Sequence, residues 1–513
     1  MPAKRKAPPV VEKRKPRILI VTPEITYLPT GMGNMANNLT AKAGGLADVS
    51  ASLVAALFEL GADVHVALPH YRKMFHVDVG RLISDELRVY KSRLTDSRIH
   101  LAEDRCFYYR DTVYSSQNEN PRLSLAFQRE VINNIIPHVQ PDLIHCNDWM
   151  TGLIPAAARR MGIPCLFTVH NIHTHHLTLA QIEDAGIDAA EFWQYLYYSG
   201  MPCGYHAIRN SLPVDLLTSG VFAAHYINTV SPTFLKEITQ GWFDFIPPDF
   251  RREVISKFKA GCAAGILNAP DESYDPETDP ALFRRYTVDN HVEMKRENKL
   301  RFQNETGLRE DANAPLLFWP SRLDPVQKGP QLLTNILYRV LEKYQVDGLQ
   351  VAVVANGGFK QAFHDILNFH QLAGRLAVCE FDEKLSRRGY AASDFLLMPS
   401  LFEPCGLPQM VGPKYGSMPI VHDTGGLHDT VEHYDPATGT GNGFSFNIFN
   451  SDGLFWAIDR AMSFYRQPAD IREQVVSRVM REAKARFNHG VCAQSYIDIY
   501  ENMLHIPLVN DHG

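Results

Sequence analysis

The sequence predicts an α/β protein made of two doubly wound domains in series, and two observations support this. The chain has 513 residues, which is too long for a single hydrophobic core, so two domains are expected. Short apolar strands alternate with helical patterns from Arg17 onward, and the same alternation restarts at Pro315. Apolar residues make up 45% and charged residues 21% of the chain, which is typical of a globular enzyme.

The first domain begins with a strand, RILIV, at Arg17–Val21. The following AGGLADVSASLVAALFELG has apolar residues at helical spacing, and Gly61 is suited to end that helix. The apolar positions are Leu46, Val49, Leu53 and Leu57. A second strand, DVHVALP, completes a βαβ unit, and DLIHC and CLFTV continue the pattern.

The second domain repeats this order with PLLFWPS, a helix over Gln331–Tyr344, and then LQVAVVA, LAVCEF, DFLLMPS and MPIVHD. Turn residues and charges gather in NAPDESYDPETDP, where we expect the junction. We therefore predict a basic disordered tail, a first Rossmann-like domain, a linker, a second Rossmann-like domain that binds a nucleotide sugar, and a C-terminal helix that packs back on the first domain. Their predicted bounds are 1–17, 18–265, 266–290, 291–485 and 486–513.

The composition argues against several classes of protein. A net charge of −6 gives no indication of nucleic-acid binding, and no apolar run approaches the length of a membrane span. The basic tail MPAKRKAPPVVEKRKPR lacks the apolar segment of a secretory signal, so we expect a solvated tail, with loose contact to a polyanion as the alternative. Eight scattered cysteines without a CxxC pair are typical of reduced thiols in a cytoplasmic protein.

Polar residues follow the predicted strands at the points where ligands bind in open α/β sheets. They are Glu24, Asn147-Asp148-Trp149, His170-Asn171, Arg322 and Ser400 to Glu403. Two such domains facing each other would enclose one central cleft. The sequence therefore predicts a site between the domains.

Two sets of basic residues in these loops are suited to bind an anion, although each set also has an explanation that involves no ligand. Lys42 precedes Gly44 and Gly45, which open a helix; such glycines allow close approach of a ligand but also serve simple tight turns. Arg322 and Lys328 could bind phosphate oxygens or be solvated surface residues. The segment HNIHTHH suggests a metal, but His173 and His175 supply only two ligands, so a polar cleft wall or a catalytic His170 is favoured.

Nine motifs then occur in order: KAGGLADV, NDW, TVHN, NTVSP, GILN, SRL…QKG, FEPCGL, YGSMPIV and TGGLHDTV. Together they resemble the bacterial glycogen synthase and plant starch synthase family, which are retaining glucosyltransferases of the GT-B fold. The resemblance runs from about residue 17 to the C-terminus. It implies transfer of glucose from ADP-glucose to the non-reducing end of an α-1,4-glucan, without a metal or other cofactor.

The resemblance also implies roles for individual residues. Glu403 matches the carboxylate near the transferred glucose, and Arg322 and Lys328 match the phosphate-clamping pair. Asp148 and His170 match catalytic residues of the first domain that face the sugar, with Glu24, Asn171 and Asn268 on the substrate side. The implied donor-binding residues are Lys42, Gly44, Gly45, Phe381, Cys405, Gly406, Leu407, Thr424, Gly425 and Gly426. Phe381 would pack on adenine, with core packing as the alternative.

Several positions depart from the family pattern, mostly on the donor side. Leu401 replaces a basic residue, and Pro408 replaces a residue with a hydroxyl and a backbone N–H. The Arg322–Lys328 spacing is one residue longer than in the family. These departures leave two alternatives: a related transferase using UDP-glucose or a small acceptor, and a non-catalytic glucan-binding paralogue.

Overall fold

The computed structural model describes residues 14–33, 36, 39–75, 98–115 and 119–509. Most of the predicted N-terminal tail, residues 1–13, lies outside this part. Within it, Arg14 pairs with Asp142 at 3.2 Å and the Lys15 ammonium donates to the Gly61 carbonyl at 2.8 Å. These two tail residues therefore contact two loops of the first domain.

The first sheet has seven parallel strands in the order β3-β2-β1-β4-β5-β8-β9. Its central strands are buried on both faces, as in a doubly wound fold. The strands are β1 (Arg17–Val21), β2 (Asp63–Pro69), β3 (Ile99–Ala102), β4 (Leu143–Asn147), β5 (Cys165–Val169), β8 (Tyr226–Thr229) and β9 (Ala263–Gly265). A separate antiparallel pair joins β6 (His176–Leu177) to β7 (Val214–Asp215).

Helices cover both faces of this sheet. They are α1 (Gly45–Glu59), α2 (Arg105–Tyr108), α3 (Asn120–Glu130), α4 (Ile136–Val139), α5 (Ile154–Met161), α6 (Leu179–Asp184), α7 (Tyr205–Ile208), α8 (Leu216–Ala223), α9 (Pro232–Gln240) and α10 (Pro248–Lys259). A π-helical turn, Val131–Ile135, joins α3 to α4. The predicted helix after the glycine loop is α1, and Gly61 follows it with φ +79°.

The second sheet has six parallel strands in the order β12-β11-β10-β13-β14-β15, which is the Rossmann arrangement. Its strands are β10 (Leu316–Trp319), β11 (Gln350–Val354), β12 (Leu376–Cys379), β13 (Phe395–Met398), β14 (Met418–His422) and β15 (Phe444–Phe446). Its helices are α11 (His291–Thr306), α12 (Pro330–Lys343), α13 (Lys360–Phe369), α14 (Glu383–Ala392), α15 (Pro408–Lys414), α16 (Gly425–Thr430), α17 (Ser451–Tyr465) and α18 (Ala469–Arg486).

The last helix, α19 (His489–Leu504), belongs to the core of the first sheet rather than the second. The Tyr500 hydroxyl lies 2.7 Å from Nδ1 of His145, and Asn228 Nδ2 donates to the Tyr496 hydroxyl at 3.1 Å. The chain thus crosses between the two sheets twice, at residues 266–290 and again before α19. The domain bounds given above stay a prediction.

The strand ends that carry polar residues lie at the carboxyl edges of the two sheets. The described segments contain no helix with the length and apolar character that a bilayer crossing would require. Within these segments the eight cysteines form no disulfide, and the buried sulfurs of Cys146 and Cys165 lie 3.8 Å apart.

Candidate active site

Asp148 follows β4 directly and is buried, with an unusual φ of +56°. Its Oδ1 accepts from the His170 N–H at 2.7 Å, and its Oδ2 accepts from Asn171 Nδ2 at 2.8 Å. The carboxylate therefore ties the end of β4 to the loop after β5. Burial raises the pKa of Asp148 to about 7, although the backbone N–H groups of His170 and Asn171 lower it.

His170 completes this cluster. Its Nε2 lies 2.9 Å from the amide oxygen of Asn147, so the neutral ring carries its proton on Nε2. Burial lowers the pKa of His170 to about 3, so the ring is uncharged at neutral pH. The cluster can thus offer a neutral imidazole and an amide to a sugar, but no fixed cation.

Glu24 lies beneath the glycine loop. Its Oε2 accepts from the N–H groups of Ala43 and Gly44 at 2.7 and 2.9 Å, and the Tyr114 hydroxyl donates to its Oε1 at 3.1 Å. Burial raises the pKa of Glu24, and the Ala43 and Gly44 N–H groups oppose this shift. Glu24 therefore holds the loop in place, and its contacts are with the protein.

The glycine loop brings the two domains together. Lys42 pairs with Asp48 at 2.9 Å, and a Cβ placed on Gly45 would lie 3.5 Å from the Leu407 side chain of the second domain. A Cβ on Gly44 would meet no atom within 4 Å. The loop thus faces the segment that carries Glu403.

Glu403 is the central carboxylate on the second-domain side. The Lys328 ammonium lies 2.5 Å from its Oε2, and the Ser400 hydroxyl donates to the same oxygen at 3.0 Å. Glu403 is 5% exposed, and little of Lys328 reaches solvent. The longer Arg322–Lys328 spacing therefore still delivers Lys328 to the site.

Arg322 behaves differently from Lys328. It is exposed, and it makes no hydrogen bond or ion pair within the part of the chain that the structure describes. The two loops are joined behind it, because the Leu401 N–H donates to the Gln327 carbonyl at 2.8 Å. Arg322 is therefore a cation near the cleft that is available to a ligand.

Thr424, Gly425 and Gly426 form a buried turn against the backbone of Glu403 and Cys405. The Gly426 N–H donates to the Glu403 carbonyl at 2.9 Å. A Cβ on Gly425 would lie 2.0 Å from that carbonyl oxygen, and one on Gly426 would lie 2.0 Å from the Cys405 carbonyl oxygen. Only glycine allows this approach, so the turn supports the Glu403 segment from behind.

The remaining residues of the predicted site, on the donor side and on the substrate side, differ in how far they are buried. Cys405 is buried, which raises the pKa of its thiol, and Gly406 has φ +72°. Asn268 is also buried, with an amide oxygen that lacks a hydrogen-bond partner among the described residues. Phe381 follows β12 and is 48% exposed, so the core-packing alternative for Phe381 is wrong.

The histidine segment forms an aromatic wall. The His175 ring lies 4.5 Å from that of Trp149, and the His173 ring lies 5.7 Å from that of His175. No group of three or more histidine, cysteine, aspartate or glutamate side chains that could hold a metal is present in the described ranges. The favoured cleft-wall role for His173 and His175 fits these ring contacts.

Two residues that sequence reasoning missed belong to this network. The Tyr114 hydroxyl donates to Glu24, and Glu237 accepts from the Thr424 hydroxyl. Glu237 lies a few residues after the NTVSP motif, in SPTFLKEI, and this motif is the signal that could have located it. Each of these contacts joins residues far apart in the chain, so the local pattern could not indicate them.

Comparison with known proteins identifies the family. Residues 17–245 match the starch synthase catalytic domain model. The glycogen synthase of Geobacillus thermodenitrificans is 34% identical over 499 residues, covering 90% of this chain and 95% of the relative. The glycogen synthase of Bacillus subtilis is 31% identical over 489 residues, again covering 90% and 95%.

A solved structure agrees with this sequence similarity. The catalytic domain of starch synthase IV from Arabidopsis thaliana, bound to ADP and acarbose, superposes with a TM-score of 0.76 at 25% identity. The match covers 96% of this chain and all of that one. Sucrose-phosphate synthase from Thermosynechococcus elongatus shares the fold, with a TM-score of 0.57 at 16% identity.

Two Rossmann-like sheets in one chain, together with the match to starch synthase IV, identify a glycosyltransferase of the GT-B fold. Within that class, the chain belongs to the glycogen synthase and starch synthase family. The resemblance, the fold and the enzyme class predicted from the sequence are confirmed.

Proposed function

We propose that the protein transfers glucose from ADP-glucose to the non-reducing end of an α-1,4-glucan, with retention of configuration. The observation that carries this proposal is the Glu403–Lys328 pair at the carboxyl edge of the second sheet, opposite the glycine loop. The related glycogen synthases support a glucan acceptor, and the ADP bound to starch synthase IV supports an adenine nucleotide.

The diphosphate of the donor would lie between the glycine loop and the Arg322 and Lys328 side chains. Negative charge develops on this group as the glycosidic bond breaks, so fixed cations there stabilise the transition state. The N–H groups of Ala43 and Gly44 already donate to Glu24. On the loop side, the Gly45 N–H would therefore meet the phosphates, and the Lys42 ammonium, which pairs with Asp48, would reach them by exchanging that partner.

Lys328 has two possible partners in this scheme. Without a donor it pairs with Glu403, which compensates the charge of both buried groups. A bound diphosphate would compete for the ammonium and release one carboxylate oxygen of Glu403 to the glucose. Glu403 would then orient the sugar hydroxyls and balance the positive charge of an oxocarbenium-like transition state.

The first-domain cluster would bind the other side of the sugar. Asp148 fixes the His170 and Asn171 backbone, and the neutral His170 ring and the Asn171 amide are suited to hydroxyl groups. Asn268 brings an amide oxygen with no partner among the described residues, which a sugar hydroxyl could satisfy. Phe381 would stack on the adenine base from its exposed position.

We expect the reaction to need no metal, because Arg322 and Lys328 supply positive charge at the diphosphate. We also place the activity in the cytoplasm, in keeping with eight cysteines that form no disulfide in the described ranges. Domain closure over the donor would exclude water and limit hydrolysis of the sugar nucleotide.

The test is incorporation of labelled glucose into glycogen, with ADP-glucose and UDP-glucose supplied in parallel and EDTA present in a second set. Activity with ADP-glucose that survives EDTA supports the proposal. Preference for UDP-glucose would reassign the donor and draw attention to Leu401 and Pro408. Glycogen binding without turnover of either donor would favour a non-catalytic glucan-binding protein.

A further inference from the structure

A carboxylate of the first domain reaches into the second domain immediately behind Glu403. Glu237 lies on α9, and its Oε1 accepts from the Thr424 hydroxyl at 2.8 Å and from the Gly425 N–H at 2.9 Å. The helix that carries it is well anchored, because the Ser231 side chain accepts from the Phe234 N–H at its first turn. Glu237 is 1% exposed, so it lies fully within the interface between the domains.

The turn that Glu237 holds is the turn that supports Glu403. Gly425 passes so close to the Glu403 carbonyl that a Cβ would lie 2.0 Å from its oxygen, and the next N–H, of Gly426, donates to the same oxygen. Three contacts therefore run without a gap from Glu237, through Thr424 to Gly426, to the backbone of Glu403. Each of them is short, so a shift of the turn would move Glu403.

A buried carboxylate at this interface lowers stability, so packing alone does not explain why it is there. The second carboxylate oxygen of Glu237, Oε2, is buried and has no hydrogen-bond partner among the described residues. Burying such an oxygen lowers stability, whereas an apolar side chain of similar size would not carry that cost. The contact instead fixes the position of the turn, because Oε1 of Glu237 accepts hydrogen bonds from both Thr424 and Gly425.

We propose that Glu237 is a positioning residue for glucosyl transfer, acting from the first domain through the Thr424–Gly426 turn on the backbone of Glu403. The effect of Glu237 on catalysis rests on the proposed function. The contacts that link Glu237 to the Glu403 backbone do not depend on that function. A positioning role for Glu237 also implies that the position of Glu403 depends on how the two domains are oriented.

The same pair of helices offers a matched control. Asp429 on α16 accepts from the N–H and the hydroxyl of Thr233 on α9, at 2.9 and 2.7 Å. This second contact also crosses between the domains through a carboxylate, but it lies beyond the turn that contacts Glu403. Glu237→Ala and Asp429→Ala therefore each remove one interdomain carboxylate, and only the first releases the turn.

The kinetic experiment compares these two variants with Glu237→Gln, whose amide oxygen can still accept from Thr424. We expect Glu237→Ala to lower kcat about 30- to 100-fold with donor KM within about threefold, as for a small displacement of a catalytic group. Glu237→Gln should recover most of this loss, and Asp429→Ala should stay near wild type. Equal kcat values for the two alanine variants would overturn the proposal.

Residue-resolved amide hydrogen exchange tests the link without any turnover. The Gly426 N–H, which donates to the Glu403 carbonyl, should exchange at least about tenfold faster in Glu237→Ala than in wild type. Its exchange rate should be unchanged in Asp429→Ala. Unchanged exchange at Gly426 in Glu237→Ala would overturn the link, whatever the kinetics show. If wild type transfers glucose from neither ADP-glucose nor UDP-glucose, the proposed function fails, and the exchange result decides only whether Glu237 holds the Glu403 backbone.

Discussion

The Lys328 ammonium and the Glu403 carboxylate lie 2.5 Å apart, between two loops of the second domain that are 75 residues apart in the chain. The pair is largely buried, so its charges are screened far less than those of a surface ion pair. A bound diphosphate would enter between a cation and an anion that already hold each other.

Glu403→Gln should abolish most turnover while leaving the fold intact. The amide oxygen can still accept from Lys328 and Ser400, but the negative charge near the reacting sugar is lost. We expect kcat to fall at least about 100-fold, and the melting temperature to fall as well, because the buried Lys328 ammonium loses its counter-charge. Steady-state kinetics and a thermal melt measure both quantities. Glu342→Gln, an exposed glutamate on α12, is the control, and wild-type turnover in Glu403→Gln would exclude Glu403 from the mechanism.

Gly425→Ala should lower stability and kcat by more than the positive φ of Gly425 alone would cause. Gly425 has φ +46°, and a Cβ there would lie 2.0 Å from the Glu403 carbonyl oxygen. Gly439→Ala is the matched control, because Gly439 has φ +69° with no atom within 4 Å of its Cβ. We expect Gly439→Ala to cost about 1–2 kcal/mol of unfolding free energy with normal kcat.

The alanine at Gly425 should cost clearly more stability than this and should lower kcat together with it. Urea unfolding and steady-state kinetics on both variants provide the comparison. Matching losses of stability in the two variants, with kcat unaffected, would show that the turn does not support Glu403.

Because of the buried Asp148 carboxyl, the free energy of unfolding should fall as the pH rises from about 4 to 7. Burial raises the pKa of Asp148 from an ordinary value of 3.8 to about 7. In that window the folded state keeps a proton that the unfolded state releases, so unfolding is favoured by increasing pH until the folded group also ionises. The loss is on the order of a few kcal/mol and is complete above about pH 7.

Asp148→Asn removes this titration, since the amide does not ionise. The wild-type minus Asp148→Asn difference in unfolding free energy, measured by urea at pH 5, 6, 7 and 8, should fall up to pH 7 and then level off. Asp188→Asn, at an exposed aspartate of the same domain, controls for the loss of a surface carboxylate. A difference that is flat from pH 5 to 8 would contradict the raised pKa.

The sequence predicted the parts of the fold that rest on local patterns. The continuous apolar run of β1 and the helical spacing in α1 match the structure, whereas the short strands β3, β8, β9 and β15 were missed as strands. The strands β10, β12 and β13 are equally short, but each is an uninterrupted run of apolar residues. The missed strands read IHLA, YINT, AAG and FSF, and these mixtures of apolar with polar or small residues are too short to establish a period.

The same distinction holds for the site. Strand-end positions located Glu403 and Asp148, but Glu237 contacts Thr424 across 187 residues of chain, and no motif encodes that distance. The glycines of the Thr424 turn were predicted to bind the donor. That role stays a prediction, and the structure adds that they pack against the Glu403 and Cys405 backbone, where no side chain would fit.

Arg322→Ala should weaken donor binding and slow transfer without affecting stability. Arg322 is exposed and has no polar partner among the described residues, so removing it leaves no other group unsatisfied. We expect kcat/KM for ADP-glucose to fall about 10- to 1000-fold, with changes in both kcat and KM, because phosphate contacts persist into the transition state. Kinetics and ADP titration measure this, with Arg309→Ala as an exposed control. Unchanged KM and kcat would place Arg322 outside the site.

Phe381→Ala should raise the donor KM while leaving kcat and stability nearly unchanged. The ring is 48% exposed at the carboxyl end of β12, so its removal opens no cavity in the core. Stacking on a base contributes about 1–3 kcal/mol, which corresponds to a KM increase of roughly 5- to 150-fold. Phe369→Ala, at a phenylalanine that is 82% exposed on α13, controls for the loss of a surface ring. ADP affinity should fall in parallel with the KM effect, whereas equal ADP affinity in both variants would show that the adenine base binds elsewhere in the cleft.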